Sequence, residues 1–290
     1  MASTSASLIP QLLIVPCLLL LSSGFLYVSE AQTPPLVSGL SYTFYSTSCP
    51  NFESIVRTRL QTEFASDIGL AAGLLRMHFH DCFVQSGGPN YRVPFGRRDS
   101  LNFATRNATL ANLPPPTANT SAILSSLATK NLTATDAVAL SGGHTIGIGH
   151  CTSFTGRLYP TQDSTMDQTF ANNLKITCPT TNSTNTTNLD IRSPNVFDNK
   201  YYVDLMNRQG LFTSDQDLYT DSRTRSIVTG FAVNQSLFYE KFIIGMLKMG
   251  MLNVLTGTQG EIRANCSARN PTSSFLSTVV EEGLETLMGF

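Results

Sequence analysis

The chain has 290 residues and a net charge of -1, with no basic excess to suggest nucleic acid as a partner and no acidic excess to suggest a solvating tail. An apolar share of 41% is enough to bury a core and excludes a disordered chain. Charged residues make up only 13%, and Asn, Ser and Thr take their place, as on a glycosylated extracellular surface.

Residues 1–31 read as a signal peptide. Leu8 to Leu21 is apolar apart from Gln11 and two prolines, and Ser29-Glu30-Ala31 supplies a small-x-small cleavage pattern, although no Lys or Arg precedes it. A membrane anchor is the competing reading, but the run is short and interrupted by Pro10 and Pro16. The mature protein is therefore expected to be secreted, with no membrane as a partner. Asn107, Asn119, Asn131, Asn182, Asn185, Asn234 and Asn265 all head Asn-x-Ser/Thr sequons, expected glycosylation sites in that compartment. Cys17 leaves with the signal, so Cys49, Cys82, Cys151, Cys178 and Cys266 remain. An odd number of thiols in an oxidising compartment leaves at least one without a partner in the chain.

Further along, residues 32–50 are loop-like. Asn51 to Phe64 has helical spacing through Phe52, Ile55, Val56, Leu60 and Phe64. Residues 70–83 predict a second helix, broken by Gly87-Gly88-Pro89-Asn90. Residues 91–120 read as irregular, with Leu113-Pro114-Pro115-Pro116 as a stiff corner. Ala122–Leu127, Thr135–Leu140, Phe197–Met206 and Thr224–Met249 predict helices, and 178–190 a Thr/Asn loop. No alternation runs long enough to suggest a sheet, so the expected fold class is all-α. The last stretch, 270–290, is acidic and amphipathic. It reads either as a docked terminal helix or as a removable sorting segment.

The densest chemical cluster is Arg76-Met77-His78-Phe79-His80-Asp81-Cys82. On a helix Arg76 and His80 share a face, a fixed cation beside a titratable imidazole. That pairing suits O–O heterolysis of a peroxide, with His80 moving the proton and Arg76 stabilising the developing charge. On a strand, His78 and His80 would share a face and could bind zinc, but Ala71, Ala72, Leu74, Leu75 and Met77 favour helix and no third ligand is near. Histidines satisfied in an apolar core are the bland alternative. A second constellation is Leu140-Ser-Gly-Gly-His144-Thr145, where paired glycines let a flat ligand approach the backbone beside a histidine. A ligating histidine needs an acceptor for its other nitrogen, and Ser214-Asp215-Gln216-Asp217 offers candidates.

Taken together these segments resemble the secretory plant-type (class III) haem peroxidases. Arg76-x-His-Phe-His80-Asp-Cys82 is similar to their distal helix and Leu140-Ser-Gly-Gly-His144-Thr145 to their proximal motif. Further matches are Phe44-Tyr45, Cys49-Pro50-Asn51, Gly96-Arg-Arg-Asp-Ser100, Asn112-Leu-Pro-x-Pro116, Phe197-Asp-Asn-Lys-Tyr-Tyr202, Gly210-Leu211, Ser214-Asp-Gln216, Met249-Gly250, Leu255-Thr-Gly-Thr-Gln-Gly260 and Arg263-x-Asn-Cys266. The similarity runs from about Ser41 to Cys266.

The resemblance implies a plant-type haem peroxidase fold, two helical lobes around haem b, over residues 32–269. It implies that His144 is the iron ligand and Asp215 its acceptor. His80 becomes the acid/base, Arg76 the charge stabiliser, Phe79 a further haem-pocket residue and Pro114 part of the edge that meets the donor. Hydrogen peroxide and small phenolic donors are the implied partners. Two calcium ions are also implied. The proximal one maps onto Thr145, Asp190, Ser193, Val196 and Asp198, a hard-oxygen set. The distal one begins with Asp81 and the carbonyl of Val84. A vacuolar destination is the alternative to the extracellular one, since 270–290 resembles the sorting propeptide of vacuolar members.

There the pattern departs from the family. Phe83-Val84-Gln85-Ser86 runs straight into Gly87, and a block expected near 85–88 is absent, leaving the distal lobe incomplete. With it go the remaining distal calcium ligands, the residue that orients the distal histidine, and the implied disulfide partners of Cys49, Cys82 and Cys266. The pairing of Cys151 with Cys178 is the one the resemblance implies is kept. Three readings follow: an active haem peroxidase, a non-catalytic truncated relative with impaired haem binding, or a small zinc hydrolase built on His78 and His80.

Overall fold

The computed structural model describes residues 33–67, 69–70, 88–89 and 91–271, and the account below concerns the unit that begins at Pro34. Nine α-helices are described: α1 (Phe52–Ser66), α2 (Arg106–Asn112), α3 (Thr120–Ala128), α4 (Ala134–Ser141), α5 (Gln168–Thr177), α6 (Lys200–Met206), α7 (Thr213–Thr220), α8 (Ser222–Val233) and α9 (Gln235–Gly250). Two three-residue strands, β1 (Ile148–His150) and β2 (Thr186–Asn188), pair antiparallel with Gly149 opposite Thr187. The fold is mostly helical, as expected, with this one small sheet added among the described residues.

Helix α4 sits at the centre because its sequence is small and apolar where it must be. Thr133 and Asp136 close a reciprocal capping box at its start, and Ala137, Val138 and Ala139 are fully enclosed. Helices α9 and α8 pack along it, and α8 packs in turn on α6 and α7. Between them lies an aromatic core of Phe197, Tyr201, Tyr202, Phe231, Phe238 and Phe242. Gly142 ends α4 where this core presses against the backbone. A Cβ there would lie 2.2 Å from the Tyr202 hydroxyl and 2.5 Å from the Phe238 ring. The first glycine of the Gly-Gly-His segment is thus a packing requirement.

A second core forms around the Cys151–Cys178 disulfide, with Phe154, Leu158, Met166, Phe170, Leu174 and Leu211. The bridge ties the end of β1 to the end of α5, and by chain-entropy arithmetic a link of this length stabilises by about 3.5 kcal/mol. Arg157 is buried in this region. Its Nη1 donates to the carbonyls of Gly210, Leu211 and Phe212, and its Nε to Asp163 at 2.8 Å. That single guanidinium fixes the extended stretch that feeds α7.

Several element readings are corrected. Residues 224–249 form two helices, because Asn234 is extended and its side chain caps α9 through the Leu237 N–H. Residues 91–120 are not wholly irregular. They hold α2, capped by Thr105, and bridges at Phe95, Arg98 and Asp99 that tie them to Ser41, Leu255 and Glu261. Helices α5 and α7 are additions, as is β2 inside the Thr/Asn loop. The expected helix at 70–83 lies almost wholly outside the described residues, as do the signal segment and most of 270–290.

Candidate active site

The Gly-Gly-His segment continues α4 as a 3-10 turn, Gly142–Thr145, and that turn aims His144 at the start of α7. His144 Nδ1 lies 2.7 Å from Asp215 Oδ1. Asp215 is 2% exposed and also accepts the Tyr201 hydroxyl at 3.0 Å and the Phe212 N–H at 2.9 Å. Burial opposes a charged carboxyl here, yet the His144 charge and these donors outweigh it and hold Asp215 below its ordinary range. An ionised carboxylate only accepts, so Nδ1 carries the proton. Burial likewise opposes a charged imidazole, and the Asp215 carboxylate outweighs it, raising His144.

The arrangement leaves the other ring nitrogen for a ligand. Nε2 makes no hydrogen bond among the described residues, and 37% of the side chain is open. The ring stands edge-on to both Tyr201 and Phe212, with centroids 6.0 and 5.6 Å away. Beside it, a Cβ on Gly143 would meet nothing within 4 Å. A tethered imidazole with an anchored Nδ1, an Nε2 without a hydrogen bond among the described residues and open space at its backbone could serve as a metal ligand.

One residue further on, Thr145 turns inward and is fully buried. Its hydroxyl donates to Asp190 Oδ2 at 2.9 Å and lies 3.4 Å from Asp198 Oδ1 and 3.5 Å from the Val196 carbonyl. Ser193 donates to Asp198 Oδ1 at 3.0 Å, and Asp190 Oδ1 receives the N–H groups of Arg192 and Ser193. All five residues read as a proximal calcium set therefore meet in one place. Behind them Asp204 is 1% exposed, with Arg192 Nε 2.6 Å from its Oδ1. Burial and then the charge of Asp190 push the Asp204 carboxyl up to about 7. Such crowding of buried acids is what a hard cation relieves, and two carboxylates, two hydroxyls and a carbonyl suit one.

Arg76, His78, Phe79, His80, Asp81, Cys82 and Val84 lie outside the described residues, so the expected distal constellation and the zinc alternative stand on sequence. Pro114 is exposed in the turn between α2 and α3. The seven sequon asparagines are all exposed. Asn119 and Asn234 cap helices through Oδ1, which leaves Nδ2 for a glycan. Cys49 and Cys266 are free thiols among the described residues, the first half-buried and the second exposed. No helix of the described residues is long and apolar enough to cross a membrane. Sequence reasoning missed Tyr201, Phe212 and Arg157 as builders of the site. Only the first belongs to a quoted motif, and there is no local signal that a phenol on α6 will reach a carboxylate on α7.

Comparison with known proteins gives one direction. The peroxidase family model matches residues 84–234. The chain is 52% identical to Peroxidase 12 of Arabidopsis thaliana over 321 aligned positions, covering 88% of this chain and 89% of that one. It is 46% identical to cationic peroxidase SPC4 of Sorghum bicolor (90% and 91% covered) and 35% identical to Peroxidase 42 of Zea mays (78% and 89%). The first alignment is longer than the chain itself. Since 88% of 290 is about 255, about 66 of its 321 positions have no residue of this chain opposite them.

Proposed function

The chain belongs to the plant peroxidase family, whose members use haem, peroxide and phenolic donors, and on that premise we propose how its own residues divide the work. His144 holds haem b through Nε2, oriented and enriched in electron density by the buried Asp215. The observation that carries this is the 2.7 Å bond between Nδ1 and a carboxylate that is 2% exposed. Bound there, haem supplies the electron transfers that reduce hydrogen peroxide and oxidise phenols.

By resemblance, His80 takes a proton from incoming peroxide and returns it to the departing oxygen, while Arg76 stabilises the charge that develops on that oxygen. Phe79 lines the pocket and Pro114 borders the edge where the phenol loses its electron. Thr145, Asp190, Ser193, Val196 and Asp198 hold a calcium ion next to His144 and fix the turn that presents it. Asp81 and Val84 are the remnant of a distal calcium site. The chain is secreted and glycosylated, or vacuolar if 270–290 acts as a sorting segment.

A second reading is favoured by the alignment lengths and by the free thiols of Cys49 and Cys266. In it, a block of the family domain is missing after Gln85 and the chain is a non-catalytic relative with impaired haem binding. Reconstitution of the secreted protein with haem and calcium separates the two. A Soret band that shifts on adding peroxide, and a turnover lost in His80→Ala, are expected for the enzyme. Absence of any Soret band sinks it in favour of the truncated relative, and an undiminished His80→Ala turnover removes the assigned acid/base.

A further inference from the structure

Asp215 Oδ1 accepts two hydrogen bonds at once, from His144 Nδ1 at 2.7 Å and from the Tyr201 hydroxyl at 3.0 Å. The second oxygen, Oδ2, is taken by the Phe212 N–H. Tyr201 is 1% exposed, and burial together with the Asp215 charge keeps it a neutral phenol, hence a donor. Its ring also stands edge-on to the imidazole at 84°. The neighbouring Tyr202, equally buried, sends its hydroxyl elsewhere, to the Val138 carbonyl at 2.9 Å. Of two adjacent buried phenols on α6, one is thus committed to the core and one to the carboxylate behind His144.

We propose that Tyr201 is a positioning residue of the His144–Asp215 pair, its phenol aligning Oδ1 and sharing that oxygen's charge so as to limit how strongly the carboxylate draws on the Nδ1 proton. Two donors on one oxygen compete. Each withdraws electron density that the other would otherwise use. With the phenol present, the imidazole receives a moderated pull. Without it, the whole of that oxygen, on a carboxylate that is 2% exposed, acts on Nδ1–H. Through Nε2 the same change makes the ring a stronger donor to a bound metal. This last step rests on the proximal-ligand reading above, whereas the proton-sharing step needs only the three residues.

The test separates the two. Only four histidines are present, so a histidine-labelled full-length chain gives a readable set of ring-nitrogen NMR shifts, detected through carbon-bound ring protons and assigned with His144→Gln. In haem-free protein, Tyr201→Phe is expected to move the His144 Nδ1 shift toward that of a deprotonated nitrogen. Tyr202→Phe, which deletes the adjacent buried hydroxyl, leaves it in place. An unmoved Nδ1 in Tyr201→Phe, an equal movement in Tyr202→Phe, or a wild-type Nδ1 indistinguishable from free histidine would overturn the proposal. In haem-loaded protein, the ferrous iron–histidine stretch should rise in Tyr201→Phe and the ferric form gain over the ferrous by about tenfold, about 59 mV for one electron. If wild type takes up no haem while the Nδ1 shift moves as expected, the ligand reading fails and the role of Tyr201 stands.

Discussion

The carbonyl of Pro116 accepts the backbone N–H of Ser214 at 3.0 Å, which latches the proline corner onto the helix that carries Asp215. Asp217 on the same helix completes the latch, its Oδ2 receiving the Thr120 N–H at the start of α3. Pro114, the proposed border of the donor edge, therefore hangs from the proximal machinery by two bonds. Asp217→Ala removes the charged half of the latch. A hydrogen bond lost from a charged acceptor costs about 2 kcal/mol, or about 4–8 °C in Tm for a domain of this size. We expect the KM for phenols to rise severalfold with the rate of reaction with peroxide unchanged. Stopped-flow kinetics that separate the two half-reactions check this, and an equal loss in both would show that the latch does not serve the donor edge.

The cation loop gives a second expectation. Asp198 Oδ1 gathers Ser193 Oγ, the Lys200 N–H and, at longer range, Thr145 Oγ1. Replacing it by alanine removes one of the two carboxylates proposed to hold calcium. A cation present at a hundredfold over its Kd stabilises by about 2.7 kcal/mol. Asp198→Ala should thus lower Tm by about 5–10 °C in calcium buffer and by much less in chelator. Calcium content by elemental analysis should fall in parallel. A Tm difference that is the same with and without chelator would mean the loop is held by hydrogen bonds alone.

Asp215→Asn tests the pair itself. The amide keeps the volume but has one acceptor oxygen for three donors, and it carries no charge to hold the Nδ1 proton. Removal of such an outer-shell partner typically weakens metal binding about 10–100-fold. Haem titration followed at the Soret band is the measurement. Retention of wild-type affinity would place the worth of Asp215 in packing rather than in orienting His144.

How far this site could be read from sequence depends on how local each signal is. Gly-Gly-His is a weak signal by itself, and Ser214-Asp215-Gln216-Asp217 offers more than one acceptor, so it is the family resemblance that singles out His144 and Asp215. The oxygen set of Thr145, Asp190, Ser193, Val196 and Asp198 was accessible only through family resemblance, since its members are up to 53 residues apart. Arg157 left no local trace, and Tyr201 only its place in a family motif: their work is done across element boundaries, by a phenol reaching α7 and a guanidinium binding three consecutive carbonyls. The helices showed the same limit. Asn234 sits inside a continuous apolar pattern, so periodicity ran through it, and only its capping geometry splits α8 from α9. Helix α7 has no apolar periodicity to announce it, because Asp215, Gln216 and Asp217 are polar, although the first two are buried. The β1–β2 pair is too short for alternation to register and is held from outside itself by the disulfide and by the Cys151 N–H on the Asn185 carbonyl.

Away from the site, Asp136 makes acid stability readable. It is 4% exposed, closes the capping box of α4 and receives Lys248 Nζ at 2.8 and 2.9 Å from α9. Burial works against its ionised form, but the Lys248 and Thr133 hydrogen bonds prevail and lower it from its ordinary range. A depressed folded-state value means that the unfolded chain takes up this proton first as pH falls. The stabilisation is therefore complete above the ordinary aspartate value of about 3.9 and is lost as pH drops below it. Asp136→Asn should unfold at a lower temperature than wild type at pH 6, with the gap narrowing at pH 3. Lys248→Met strands the carboxylate between the helices. Because Lys248 is partly exposed, the loss is about 1–2 kcal/mol rather than the 3–5 of a fully buried pair. Thermal melts of the three proteins across this pH range decide the matter: a gap between wild type and Asp136→Asn that stays constant down to pH 3 would show that the Asp136 charge does not link α4 to α9.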